Sequence, residues 1–258
     1  MKYSLLSAAL LLTLSLNCFA HSEGIEEAVG NKVVNTFQCA QLAPTNIKLE
    51  YDVIQSDRFG TPQASHSMRL IKNQRQVIYQ TTPQTFEAWD KNGEYIRYFP
   101  EERRSITYRP SDLRSLNISY DLLQQFHLVS PELKSQLQRG ENTQASCFQL
   151  EQYSGLQGEQ NIKLKWIKSL ALPYQFSITH TRGSVHYQLR DASPMTSDKV
   201  NTITQGYNDL DFADVGDSES DPFIAKMITQ GFIQHGSSGF YDTDGNSLSG
   251  GNHHGHGH

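Results

Sequence analysis

The chain has 258 residues, with 22 lysines and arginines against 27 aspartates and glutamates, which gives a formal net charge of −5 at pH 7. This mildly acidic balance comes without the basic stripe that nucleic-acid-binding proteins carry. We therefore expect no nucleic acid among the partners of this chain.

The first twenty residues, MKYSLLSAALLLTLSLNCFA, place Lys2 before an apolar run from Leu5 to Leu16. The small-x-small motif Cys18-Phe19-Ala20 follows, and the whole pattern predicts a signal peptide over residues 1–20 and a periplasmic location. Lipidation at Cys18 is a minority alternative, because Asn17 stands where a lipoprotein signal has a small residue. No later apolar run approaches the ~20 residues that a membrane-spanning helix needs, so the mature chain is expected not to span a membrane.

Two cysteines remain after removal of the signal peptide, Cys39 and Cys147. An even pair in an exported protein favours a disulfide, because the compartment is oxidising. Two buried free thiols are the alternative.

Short runs with alternating apolar and polar residues dominate the chain between Asn46 and Ala192. In NIKLEYDVIQ, for example, Ile47, Leu49, Tyr51 and Val53 share one face. Such runs, rich in aromatic and β-branched residues, predict about ten antiparallel strands. A helix is expected before them, around residues 26–37.

One helical segment interrupts the strands, SYDLLQQFHLVSPELKSQLQRGEN. Its apolar residues recur at spacings of three and four, which is typical of a helix. Pro131 is expected to divide it into two helices, with Ser130 as the N-cap of the second.

The character of the chain changes at Ser193, where an acidic and polar stretch begins. A short helix is expected after Asp221-Pro222, and the last part is rich in glycine, serine and histidine. The sequence therefore predicts a folded domain over residues 21–192 and a C-terminal extension over residues 193–258.

The predicted fold class is α+β, mainly antiparallel β: a curved half-barrel sheet covered by a few helices. The concave side of such a sheet can be too broad for the helices to fill, which leaves an apolar cavity. The stretch TFEAWDKNGEYIRYFPEERRSITYRPSDLRSL and the order of elements around it resemble the periplasmic lipoprotein-carrier superfamily of LolA, LolB and RseB.

This resemblance implies a protein that binds acyl chains or lipoproteins without catalysis. The residues expected on the concave face, and so in a ligand cavity, are Leu49, Tyr51, Val53, Phe86, Trp166 and Phe176. The alternative for each of them is an ordinary place in the core.

The sequence contains no nucleophile elbow, zinc-protease motif, phosphate-binding loop or dinucleotide fingerprint. We therefore predict that the chain is not an enzyme and requires no cofactor.

The C-terminal end, GGNHHGHGH, supplies four closely spaced histidines. Imidazole is a common ligand of zinc, copper and nickel, so a metal site is expected at His253, His254, His256 and His258, with His235 as a further ligand. A solvated tail and a purification handle are the alternatives. Copper chelation by a mature N-terminal His21, together with a second histidine, is a further and less favoured hypothesis. The DTDGN stretch fits an Asp-Gly turn better than a calcium loop.

The leading hypothesis is thus an exported carrier or sensor with a cavity for a lipid or acyl group and a metal-binding tail. The alternative is a periplasmic metal-binding protein in which the tail is the main element. A third hypothesis gives the acidic stretch 207–221 to an envelope protein partner.

Overall fold

The computed structural model describes residue 37 and residues 39–218 and 220–229. The predicted signal peptide, the helix expected around residues 26–37 apart from its last residue, and the metal-binding histidines lie outside these residues. Thirteen strands are found in the described part of the chain: β1 (Ile47–Asp57), β2 (Pro62–Lys72), β3 (Gln76–Gln80), β4 (Phe86–Asp90), β5 (Tyr95–Phe99), β6 (Arg104–Tyr108), β7 (Gln138–Arg139), β8 (Thr143–Ala145), β9 (Phe148–Gln157), β10 (Gln160–Ile167), β11 (Leu172–His180), β12 (Gly183–Pro194) and β13 (Asn208–Asp211). The α-helices in this part are α1 (Pro110–Ser115), α2 (Leu122–His127), α3 (Pro131–Gln136), α4 (Ser197–Ile203) and α5 (Pro222–Thr229).

All thirteen strands belong to one open, curved sheet, in the order β13-β6-β5-β4-β3-β2-β1-β12-β11-β10-β9-β7, with β8 paired to β9. Every pairing is antiparallel except that of β13 with β6. The predicted fold class, a mainly antiparallel curved sheet with a few helices, is confirmed. The short strands β7, β8 and β13 are the additions to the ten that alternation predicts.

The long strand β1 sets the two sides of the sheet. Leu49 and Tyr51 are fully buried and Val53 is 2% exposed, while the residues between them are only partly buried. We call the side that carries these three residues the main face, and the other side the opposite face. The alternation of β1 is confirmed.

Three short helices between β6 and β7 cover the main face. Leu113 of α1 is fully buried in the same apolar cluster as Leu49. The Oγ atom of Ser130 accepts a hydrogen bond from the Leu133 amide at 3.0 Å and caps α3, which begins at Pro131. The predicted break and the predicted cap are therefore confirmed.

The segment 193–229 is part of the folded unit, which corrects the predicted domain end at Ala192. Val200 of α4 is fully buried with Phe86 on the opposite face. Strand β13 then extends the sheet beyond β6, and Ile224 of α5 is fully buried in the main-face cluster. The polar composition of this segment does not predict these contacts, because only a few apolar residues in each of its helices are buried.

Cys39 and Cys147 form a disulfide, with their Cα atoms 6.2 Å apart. The bond closes a loop across a sequence separation of 108 residues. In the chain-entropy description such a loop is worth roughly 4–5 kcal/mol of stability. The predicted disulfide is confirmed, and it is typical of an oxidising compartment.

None of the helices in the described residues has the length and apolar character that crossing a bilayer requires.

Candidate functional site

The residues predicted to line a cavity are all buried. Leu49, Tyr51 and Val53 lie in the cluster at the centre of the main face. Trp166 and Phe176 lie in a second cluster beside it, and both clusters contact Tyr187. In this conformation the side chains therefore pack as a core.

Phe86 is the exception to the predicted placement. It belongs to the opposite-face cluster, where its ring stacks on Tyr98 with 4.5 Å between centroids. Trp89 of the same strand lies in the main-face cluster, and residues three apart in a strand point to opposite sides. The placement of Phe86 on the concave face is therefore wrong.

Residues 120–128, which we call the lid segment, form one part of the cover of the main face. The lid segment contains α2, a six-residue helix with no buried residue, whose Leu123 is 56% exposed. Four side chains of the lid segment pack against the main-face cluster, each only partly buried: Tyr120, Leu122, Phe126 and Leu128. Leu128 ends the helix at a φ of 63°, in the left-handed region, which costs a leucine roughly 1–2 kcal/mol. Apolar burial thus holds the lid segment less firmly than it holds α1, whose Leu113 is fully buried.

Polar contacts from the main face hold the C-terminal end of α2 instead. The Nζ atom of Lys72 donates to the Phe126 carbonyl at 2.9 Å, and the Tyr79 hydroxyl donates to the Gln125 carbonyl. His127 Nδ1 lies 2.8 Å from the Ala171 carbonyl. The last carbonyl groups of a helix lack partners within the helix, so Lys72 and Tyr79 complete its end. His127 instead joins the helix to a carbonyl between β10 and β11.

Lys72 is an unusual side chain for this position, because it is only 3% exposed. It faces Ile47 and Val77 on the neighbouring strands. Burial lowers the pKa of Lys72 to about 8, which is consistent with an ammonium in apolar surroundings. Within the described part of the chain its one hydrogen bond goes to the Phe126 carbonyl, and no ion pair compensates its charge.

The same buried environment shifts the pKa of His127. Burial lowers its pKa, the hydrogen bond to Ala171 opposes this, and the positive charges of Lys72 and Lys134 lower the pKa further. Asp121 acts in the other direction. The neutral imidazole is therefore the form that the closed lid segment favours.

A buried ion pair lies next to Tyr79 along the main face. Tyr79 pairs with Glu87 across β3 and β4, and Glu87 pairs with Arg97 across β4 and β5. The Arg97 guanidinium lies 3.1 Å from the Glu87 carboxylate. Burial raises the pKa of Glu87, and the charge of Arg97 opposes that rise. This cation, unlike Lys72, has a carboxylate partner.

A shallow depression of about 260 Å³ lies at the start of the lid segment. Its lining includes Ser119, Tyr120 and Gln125, and the Tyr120 ring lies 4.6 Å from the Trp89 ring. Pockets for small ligands usually measure 300–1,000 Å³, so the depression alone is small for a lipid. Binding of an acyl chain on the main face would require the lid segment to move.

Sequence reasoning did not single out Lys72 and Tyr79 as site residues. A signal was present in SHSMRLIKN, because Met68, Leu70 and Lys72 share one side of a strand at period two. A lysine that continues an apolar side of a strand indicates either a strand end or a buried amine.

The predicted metal ligands His235, His253, His254, His256 and His258 lie outside the described residues, as does His21. Among the residues that are described, no group of three or more His, Cys, Asp or Glu side chains is placed to hold a metal ion. The metal-binding tail therefore stays a prediction.

No family model matches the sequence, and no curated protein sequence matches it. Solved structures do resemble the fold. PNGF-II aligns at 9% identity over 65% of this chain and 31% of its own, with a TM-score of 0.40. MucB aligns at 8% identity over 60% of this chain and 56% of its own, with a TM-score of 0.35.

A putative outer membrane lipoprotein-sorting protein domain from Vibrio parahaemolyticus aligns at 10% identity over 64% of this chain and 94% of its own, with a TM-score of 0.31. These are likenesses of fold. The chain spans about a third of PNGF-II and about half of MucB. TM-scores of 0.31–0.40 do not indicate a function, so the proposal below uses only the residues of this chain.

Proposed function

We propose that the chain is an exported carrier or sensor that binds a lipid or acyl group on the main face, beneath the lid segment. The observation that carries this proposal is the contrast between floor and cover. The floor is an apolar surface that includes Leu49 and Trp89, whereas α2 buries no residue and is held by contacts to its carbonyls. A cover of this kind can move without breaking the sheet.

The disulfide between Cys39 and Cys147 supports export, because such bonds persist in oxidising compartments. That the chain is not an enzyme stays a prediction from the motifs absent from its sequence.

Two measurements test the proposal: titration with a fluorescent acyl probe, and hydrogen exchange of the backbone amides with and without the probe. Titration with cis-parinaric acid should give saturable fluorescence in the micromolar range, and amides 122–128 should change their exchange rate on binding. Amides in β10 are the internal control. Failure of the probe to bind, with unchanged exchange in the lid segment, would remove the proposal.

A second function is proposed from the tail, in which His253, His254, His256 and His258 collect zinc, copper or nickel. Calorimetric titration at pH 7.5 and pH 5.5 should show metal binding that weakens in acid, because imidazole must be deprotonated to bind. Deletion of residues 252–258 should abolish it. Equal metal binding by the full and shortened chains would exclude the tail as the metal site.

An envelope partner docked on the acidic stretch 207–221 is the weakest of the three hypotheses. Asp209 accepts hydrogen bonds from Ser105 and Thr107, and Asp221 accepts two from Arg104. These carboxylates are already engaged within the chain, so less of the stretch is available to a partner.

A further inference from the structure

Lys72 is a positive charge placed where the proposed ligand would lie. It is 3% exposed on the main face, and the carbonyl that it contacts belongs to the movable lid segment. Burial of an ammonium without a carboxylate is costly, because a single neutral carbonyl replaces only part of its hydration. An ammonium has three donors, and the described structure gives this one a single acceptor.

Tyr79 places a second donor beside it. Lys72 pairs with Val77 across β2 and β3, so Tyr79 is its diagonal neighbour on the same side of the sheet. The two side chains donate to the consecutive carbonyls of Phe126 and Gln125. Burial raises the pKa of the Tyr79 hydroxyl far above its usual range, so it remains a donor at any physiological pH.

A charged donor and a neutral donor side by side suit an anionic oxygen group. When the lid segment is closed, the two side chains bind carbonyls at the C-terminal end of α2, which is the negative end of the helix dipole. The other buried cation of the main face, Arg97, is already paired with Glu87 at 3.1 Å. Lys72 is therefore the cation with capacity for a ligand.

We propose that the ligand carries an anionic head group on its acyl chain, a carboxylate or a phosphate, and that Lys72 Nζ and the Tyr79 hydroxyl bind this group when the lid segment moves away. This inference rests on the proposed function, since it names the chemical class of the ligand at that site. The carbonyls of Gln125 and Phe126 hold the place of the head group in the closed conformation.

Binding of matched probes tests the inference. Cis-parinaric acid and its methyl ester share one chain and differ only in the charge of the head group. The full-length protein should bind the acid at least about tenfold more tightly than the ester at pH 7, a difference of about 1.4 kcal/mol. Displacement of the acid by hexadecyl phosphate and by palmitate distinguishes the two head groups, because the stronger competitor carries the preferred one.

The variant Lys72→Met keeps the length of the side chain and removes the charge. It should bind acid and ester within about twofold of each other, with affinity for the ester unchanged. Lys72→Arg should keep the preference for the acid, and Lys163→Met, on an exposed lysine of β10, should behave as the unmodified chain. Circular dichroism confirms that each variant is folded.

Equal binding of acid and ester by the unmodified chain would overturn the inference and leave the proposed function in place. So would a preference for the acid that Lys72→Met retains. Absence of binding by both probes would instead remove the proposed function itself.

Discussion

The contact between Tyr79 and the Gln125 carbonyl gives the sharpest test of how the lid segment is held. Tyr79→Phe removes one hydroxyl and leaves the packing of the ring in place. A hydrogen bond of this kind contributes about 1 kcal/mol net, so the equilibrium between closed and open lid should shift by about fivefold towards open. Amides 122–128 should exchange about fivefold faster, and the association rate of an acyl probe should rise by a similar factor.

The chain offers a matched control for this variant. The Tyr51 hydroxyl donates to the Pro173 carbonyl at 2.8 Å, also on the main face, but Pro173 lies outside the lid segment. Tyr51→Phe removes the same chemical group at a similar cost in global stability. It should leave exchange at 122–128 relative to β10 unchanged. If the two variants accelerate exchange in the lid segment equally, the contact from Tyr79 does not hold the lid and the reasoning fails.

Three further predictions follow from the contacts of the fold. Cys39→Ser with Cys147→Ser should lower the free energy of unfolding by roughly 2–5 kcal/mol in a urea titration, and a loss below 1 kcal/mol would contradict the role given to the disulfide. Ile224→Ala should cost about 2–5 kcal/mol because this side chain is fully buried, whereas Ile228→Ala, in the same helix but 38% exposed, should cost less than about 1 kcal/mol. Equal effects would mean that α5 is not anchored to the core. Burial lowers the pKa of His127 in the closed state. The contribution of His127 to the stability of the closed lid segment is therefore complete above the unfolded pKa of about 6.5 and declines as the pH falls below that value. At pH 5.5 the lid segment should therefore exchange faster in the unmodified chain than in His127→Asn, and the difference should vanish at pH 7.5.

Much of the fold could be predicted because the strands alternate clearly. In β1 the apolar residues Leu49, Tyr51 and Val53 occupy every second position, and this fixes both the strand and its buried side. The break at Pro131 and the cap at Ser130 are local signals that need no tertiary contact. The pairing of Cys39 with Cys147 followed from there being only two candidates.

The face of Phe86 could not be predicted in the same way. Strand β4 is buried on both sides, with Phe86 and Ala88 against α4 and Trp89 against the main-face cluster. Its sequence shows apolar residues at both parities, so alternation does not say which side faces the site. That side became defined only because α4, from the segment assigned to an extension, covers the opposite face.

The same limit explains why the site residue Lys72 was not recognised. In the sequence it ends a strand, where a lysine is normally solvated and does not indicate a binding site. In the fold it is covered by the end of α2, more than fifty residues later in the chain. Its burial is therefore a property of a contact between distant segments, and under the proposed function the lid segment releases this contact. The buried ammonium of Lys72 has its hydrogen-bond partner in the lid segment. A ligand that takes the place of the lid segment therefore meets this positive charge. Under the proposed function, Lys72 thus makes the charge of the head group a determinant of which ligands bind on the main face.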